Sequence, residues 1–357
     1  MKYPLYSSLL LALPVALVAS EAFGDRESLL KDNKAWYLTD THIHALPPGY
    51  KNAVADAGGD PSGFHTPDWS EEGTLESLNL TGSARAVLSV STPGIPIAGT
   101  GQQARDLCRE TNDYLAELVN KHPLHLDFFA VLPDWRDVNG TLEEIDYIYS
   151  TQKQAVGVTL YTSYGDLLPG DAMFKPIWDK LESYGALAFM HPGTMNVKPF
   201  FIGGFLPQPI IDYPQQTTRA AMDLVISGVR SNTPNVDLIL SHAGGTLPFL
   251  AQRAYGGLID GDVSKNSSVD AAEALVQFKR FYYDTALSNS PAQLSALLYS
   301  VDPSHILLGT DYPYVPAETI KANFEEYIEF LKTHPAISTD VLTQNAMELV
   351  LKHALWK

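Results

Sequence analysis

The sequence predicts an α/β protein: a (β/α)₈ barrel of the TIM type with lid insertions. Three observations predict it. Strand-like and helix-like segments alternate along 357 residues, a length that suits one barrel with insertions. Eight of the segments read as strands: residues 36–44, 84–91, 126–132, 155–161, 187–191, 236–242, 281–286 and 306–311. Finally, strands 1, 5, 6 and 8 end in histidine or aspartate, and a barrel collects its chemistry at the C-terminal ends of its strands. A doubly wound open sheet is the alternative arrangement of the same elements.

The first strand ends in Thr39-Asp40-Thr41-His42-Ile43-His44. Successive strand side chains alternate faces, so His42 and His44 share one face and two imidazoles there can share a metal ion. Residues 45–75, rich in Gly and Pro, read as a lid. Helical patterns follow at 103–121, 142–151 and 174–184, alternating with strands 2 to 5. Strand 5 runs into Phe189-Met190-His191-Pro192-Gly193. Residues 194–213 carry three prolines and several aromatics, which suggests a second lid or an interface supporting a homodimer. After a helix at 217–231, strand 6 ends in Ser241-His242-Ala243-Gly244-Gly245, whose glycines allow close backbone approach, and Thr246 with Pro248 opens the helix 246–255. Strand 7, the helix 291–300 and strand 8 with Gly309-Thr310-Asp311-Tyr312-Pro313 complete the pattern. His42, His44, His191, His242 and Asp311 would therefore converge, and histidine nitrogens with an aspartate oxygen suit one divalent ion, Zn²⁺ first and Mn²⁺ second. Trp69, Tyr161, Tyr312 and Tyr314 are candidates for an aromatic substrate wall.

Composition narrows the partners. A formal net charge of −17 argues against nucleic acid and against an anionic membrane surface. Cys108 is the single cysteine, so no intrachain disulfide can form, and its helical setting suggests inert core. Lys2, the apolar run 9–19 and the small residues at 20 and 22 read as a signal peptide over residues 1–22, leaving 23–357 as one barrel domain. That run is too short to span a bilayer, so no stable membrane insertion is expected. The expected route is the secretory pathway, with sequons at Asn79, Asn139 and Asn266 as glycosylation candidates.

The set HxH, H-P-G, S-H-A-G-G-x-L-P and G-T-D-Y-P, in this order, resembles the amidohydrolase superfamily and within it the branch of aminocarboxymuconate-semialdehyde and hydroxybenzoate decarboxylases. His65-Thr66-Pro67-Asp68-Trp69-Ser70 and the run 87–94 are most similar to fungal 6-methylsalicylate decarboxylases. The resemblance implies the barrel, with His42, His44, His191 and Asp311 as metal ligands and His242 as acid/base. It implies a metal-dependent decarboxylase that turns a small hydroxybenzoic acid into CO₂ and an m-cresol-type phenol in fungal polyketide secondary metabolism. Two departures refine it. Strand 4 carries no lysine to bridge two metals, which favours one ion, and no arginine lies between His44 and Arg85 to hold a second substrate carboxylate. Protonation of the carboxylate-bearing carbon is then expected from Asp311, with His242 orienting it. The alternative is a mononuclear metal hydrolase of a lactone, ester or amide, in which Asp311 and the ion activate water.

The leader reading has a direct check. The mature chain is expected to begin near Glu21 or Phe23, and N-terminal sequencing that recovers Met1 on a cytosolic protein would remove it.

Overall fold

The computed structural model describes residues 38–355. The expected leader lies outside them. Eight parallel strands form one sheet in the order β1-β2-β3-β4-β5-β6-β7-β8: β1 (Thr39–His44), β2 (Arg85–Ser89), β3 (Leu126–Ala130), β4 (Ala155–Tyr161), β5 (Leu187–His191), β6 (Asp237–Leu240), β7 (Tyr282–Asp284) and β8 (Ile306–Leu307). A parallel bridge between Asp40 and Leu308 joins the last strand to the first, so the sheet closes as a barrel.

The strand sequences are continuous apolar runs because both faces are covered, and every residue of β1 to β5 is buried. Alternate side chains divide into two cores. Val87, Phe129, Val156, Leu187, Phe189, Ile239 and Leu307 form one cluster with Ala346, Met347, Leu349 and Val350 of the C-terminal helix Thr339–His353, which thereby stoppers the lower end of the barrel. The opposite faces pack on the surrounding helices in a larger cluster. Asn345 of the same helix donates from Nδ2 to the carbonyls of Pro303 and Ile306, 2.8 Å each, and so anchors the two-residue strand β8.

Several elements differ from the sequence expectation. The lid 45–75 contains the helix Pro48–Asp56 and runs into a second, Glu71–Ser77. The helix expected at 217 begins at Gln208, because Pro209 in its first turn fixes a helical φ. Pro214 inside it costs one backbone hydrogen bond, while its carbonyl accepts from Thr218 Oγ1 at 3.0 Å. Strands 6, 7 and 8 are shorter than expected, since the chain lifts off the ladder before it reaches the functional residues. Among the described residues no helix is long and apolar enough to cross a membrane.

The C-terminal helix is held to the barrel floor by Asp237. Its Oδ2 accepts from His353 Nε2 at 2.7 Å and Lys352 Nζ at 2.6 Å, while His353 Nδ1 donates to the Gly185 carbonyl at 2.7 Å. Burial alone would raise the Asp237 carboxyl, but His353 and then Lys352 outweigh it and hold it at about 2, below its ordinary 3.8. A depressed carboxylate contributes stability above its unfolded pKa and loses it as pH falls through the folded value. Urea midpoints should therefore drop between pH 4 and 2 in the wild type and drop less in Asp237→Asn; identical pH slopes would contradict this lock.

Candidate active site

His42 and His44, both fully buried, point their Nε2 atoms into the upper mouth of the barrel 3.2 Å apart. Each is fixed from behind. His42 Nδ1 lies 2.9 Å from Asp284 Oδ2 at the end of β7, and His44 Nδ1 lies 2.9 Å from Ser89 Oγ at the end of β2. His191 Nδ1 sits 3.1 Å from both the Pro192 carbonyl and Thr92 Oγ1. With each Nδ1 engaged, each Nε2 is left for the centre, the way histidines are held for a metal.

Asp311 and His242 are presented by backbone that has left the sheet. Asp311 has φ 64°, and its amide donates to the His42 carbonyl at 2.8 Å. The preceding Thr310 donates from Oγ1 to Asp40 Oδ2 at 2.5 Å. Gly309 is required there, because a Cβ would stand 2.7 Å from His42 Cβ. His242 and Ala243 both have φ 55°, and this bend needs Gly245: φ is 65° and a Cβ would stand 1.9 Å from the Pro214 carbonyl oxygen. Asp311 Oδ1 is then 3.1 Å from His44 Nε2 and 3.6 Å from His42 Nε2, and its Oδ2 is 3.5 Å from His242 Nε2. The Nδ1 of His242, unlike that of the other three, is buried without a protein hydrogen-bond partner.

All five residues expected at the centre meet. The quartet whose ligand atoms lie within 4.8 Å of one another is His42, His191, His242 and Asp311, so His242 stands as close to a shared ion as the expected ligands, with His44 alongside through Asp311 and His42. A buried set of imidazole nitrogens and one carboxylate in this geometry fits a divalent ion.

The electrostatics follow from burial and contact. Burial works against a charged His42, but Asp284 and then Asp311 overcome it and push its pKa up to about 10. His44 is lowered, chiefly by burial, and His191 is driven well down by burial and by the neighbouring imidazoles. Burial would raise Asp311, yet hydrogen bonds from His242, His42 and His44 hold it well below the usual carboxylate range.

The expected aromatic wall is only partly present. Trp69 meets Tyr114 edge-on at 6.3 Å, the Tyr161 hydroxyl is spent on the Val90 carbonyl at 3.0 Å, and Tyr312 lies against Gly73. None of the three has a ring contact with the histidines. Tyr314, on the other side of the turn, has its ring 5.5 Å from His44, and Phe64 lies 6.2 Å beyond it. Tyr213 is 6.4 Å from His191. His65 is exposed and stacked on Phe64. The sequence reading missed Asp284, although it lies inside the expected strand 7 and ends β7 in the structure. It also missed Ser89 and Thr92, whose hydroxyls carry no sequence signal. Asn79, Asn139 and Asn266 are all exposed.

A model of the amidohydrolase family matches residues 39–351, which takes in every strand and every residue of the cluster. The chain belongs to the amidohydrolase family. It is 39% identical over 292 residues to the decarboxylase macB of Penicillium terrestre, covering 79% of this chain and 85% of that protein. Identity to the 6-methylsalicylic acid decarboxylase of Penicillium expansum is 38% over 313 residues, covering 87% of this chain and 95% of that one. The solved 5-carboxyvanillate decarboxylase of Sphingomonas paucimobilis superposes with a TM-score of 0.73 at 19% identity over 88% of this chain and 99% of that chain, which shows a common fold.

If an ion is taken up at His42 Nε2, it has to displace the proton held there, so binding would release protons. The apparent affinity for Zn²⁺, measured by chelator competition, is expected to strengthen steadily from pH 6 to 8. An affinity that does not change with pH would show that His42 is already neutral without metal.

Proposed function

We propose that this protein is a metal-dependent, non-oxidative decarboxylase of a 6-methylsalicylate-like hydroxybenzoic acid, releasing CO₂ and an m-cresol-type phenol. The observation that carries the reading is the buried cluster of His42, His44, His191, His242 and Asp311 on a barrel whose β4 presents no lysine to bridge a second ion. The relatives from the two Penicillium species support the reaction, and the 6-methylsalicylic acid decarboxylase of Penicillium expansum supports the substrate class. His42, His44, His191 and Asp311 would hold one ion, Zn²⁺ by donor preference with Mn²⁺ as the alternative. When bound, it supplies the positive charge that binds the carboxylate and ortho oxygen of the acid and favours charge on that oxygen.

The chain's own groups do the rest. Tyr314 and Tyr213 flank the imidazoles and offer ring faces to an aromatic acid. With Asp311 committed to the ion in this reading, we assign the proton to its neighbour His242, whose Nε2 faces the same centre. His242 Nε2 lies 3.5 Å from Asp311 Oδ2, which steers the ring, while its Nδ1 is buried without a protein hydrogen-bond partner. Transfer of the His242 proton to the carboxylate-bearing carbon interrupts aromaticity. The bond to the carboxylate then breaks, its electron pair restores the ring, and CO₂ leaves. The balance is one proton in and one CO₂ out.

Secretory routing belongs to the same proposal, supported by the leader-like residues 1–22 and the exposed sequon asparagines. So does a homodimer through residues 194–213, where Phe201, Ile202 and Phe205 are exposed.

The test is turnover of 6-methylsalicylate in D₂O. One deuterium should appear on the carbon that bore the carboxylate, with close to one equivalent of metal per chain and no activity after chelation. His191→Ala should lose both metal and activity. His242→Asn should keep the metal while kcat falls roughly 10²-fold or more and KM changes less. A product retaining its carboxylate, or lactone, ester or amide hydrolysis by the same protein, would replace decarboxylation with the hydrolase reading.

A further inference from the structure

Asp284 is fully buried at the end of β7, and its two oxygens serve both halves of the site. Oδ2 faces His42 Nδ1 at 2.9 Å. Oδ1 accepts two backbone N–H groups, from His242 at 3.1 Å and from Ala286 at 2.9 Å. The His242 amide belongs to the bend with φ 55° that aims its imidazole inward. Gly309 closes over the pair: a Cβ there would stand 2.7 Å from His42 Cβ and 3.1 Å from Asp284 Oδ1. Neither oxygen is spare, and the assignment of donors is forced. Two partners are backbone N–H groups, which can only donate. The third is an imidazole whose role depends on where its proton sits.

We infer that Asp284 is the positioning residue of the site: one carboxylate fixes His42 as the Nδ1–H tautomer, leaving Nε2 as the ion's ligand, and at the same time pins the bend that presents His242. The role in metal holding rests on the reading above that His42 is a ligand. Both carboxylate oxygens are taken by protein groups, so it acts through these two histidines.

The inference makes an unusual demand on the near-isosteric amide. In Asp284→Asn the side-chain oxygen must stay on the two backbone N–H groups, so the NH₂ faces His42 Nδ1. That nitrogen must then accept, which moves the imidazole proton to Nε2, the atom that faces the ion. The fold and the His242 bend survive, whereas the ligand is masked. Asp284→Asn should therefore melt near the wild-type temperature yet bind Zn²⁺ about tenfold to a hundredfold more weakly, the scale known for partners behind metal-bound histidines. Zn²⁺ alone is the probe, read by chelator competition, so the result stands whether or not the protein decarboxylates anything. A structural role alone would lower the melting temperature and leave the affinity of the folded fraction unchanged; that outcome overturns the inference. Should the variant fail to fold, the wild type decides. In the Zn²⁺-loaded protein, ¹⁵N-resolved imidazole spectra should show His42 with a hydrogen-bonded proton on Nδ1, assigned by its loss in His42→Gln. A His42 ligating through Nδ1, or lacking that proton, would exclude the inference.

Discussion

The seam between β1 and β8 is the constraint on which the rest of the molecule depends. Thr41 donates from its amide to the Leu308 carbonyl at 2.9 Å and from its hydroxyl to the same oxygen at 2.8 Å. One step further up, Asp40 takes both the amide and the hydroxyl of Thr310. The two strands are separated by nearly the whole chain, so their pairing closes a sheet whose other strands run in sequence order between them. Across that seam, His42 and His44 on one side and Asp311 on the other are brought within 3.1 to 3.6 Å. The site is thus a by-product of closing the barrel, which is why a barrel rim can host polar groups that no single element could hold buried.

Those polar groups are tolerated because each is answered by another. Four imidazoles in a dry pocket repel as cations and are costly as unpartnered neutral rings. Asp284 and Asp311 stand at the two nitrogens of His42, while Ser89 and the Pro192 carbonyl settle His44 and His191. The arrangement leaves a surplus of lone pairs aimed at one point, the electrostatic form of a cation site. His242 departs from the pattern: its Nε2 faces Asp311 Oδ2 at 3.5 Å, but its Nδ1 has no protein hydrogen-bond partner. A group that must gain and lose a proton each cycle benefits from that freedom, whereas a ligand benefits from having none.

The left-handed backbone at His242, Ala243 and Asp311 expresses the same division of labour. Strand geometry places side chains alternately in and out, which suffices for His42, His44 and His191. Bringing two further groups to the same point from neighbouring strands requires the chain to leave the ladder and turn sharply, at a cost in backbone strain that the hydrogen bonds of Asp284 and the close packing at Gly245 and Gly309 offset.

What the sequence determined by itself was what local periodicity can carry. Apolar runs at regular spacing specified eight strands in order, and the chemistry at the ends of strands 1, 5, 6 and 8 named His42, His44, His191, His242 and Asp311, because strand ends are where a barrel exposes side chains. The helices inside the first lid and the early start at Gln208 were hidden, since Gly and Pro read as loop whether or not a helix begins there. Tertiary structure alone decided which aromatics face the histidines. Tyr312 and Tyr314 are two residues apart on one turn, yet the turn sends the first towards Gly73 and the second to His44. It alone revealed Asp284 as well, because a carboxylate becomes a positioning group only through what lies opposite it, and its partners come from β1 and from the bend after β6. Pairings across 242 residues of chain are properties of the closed barrel, and no local pattern encodes them.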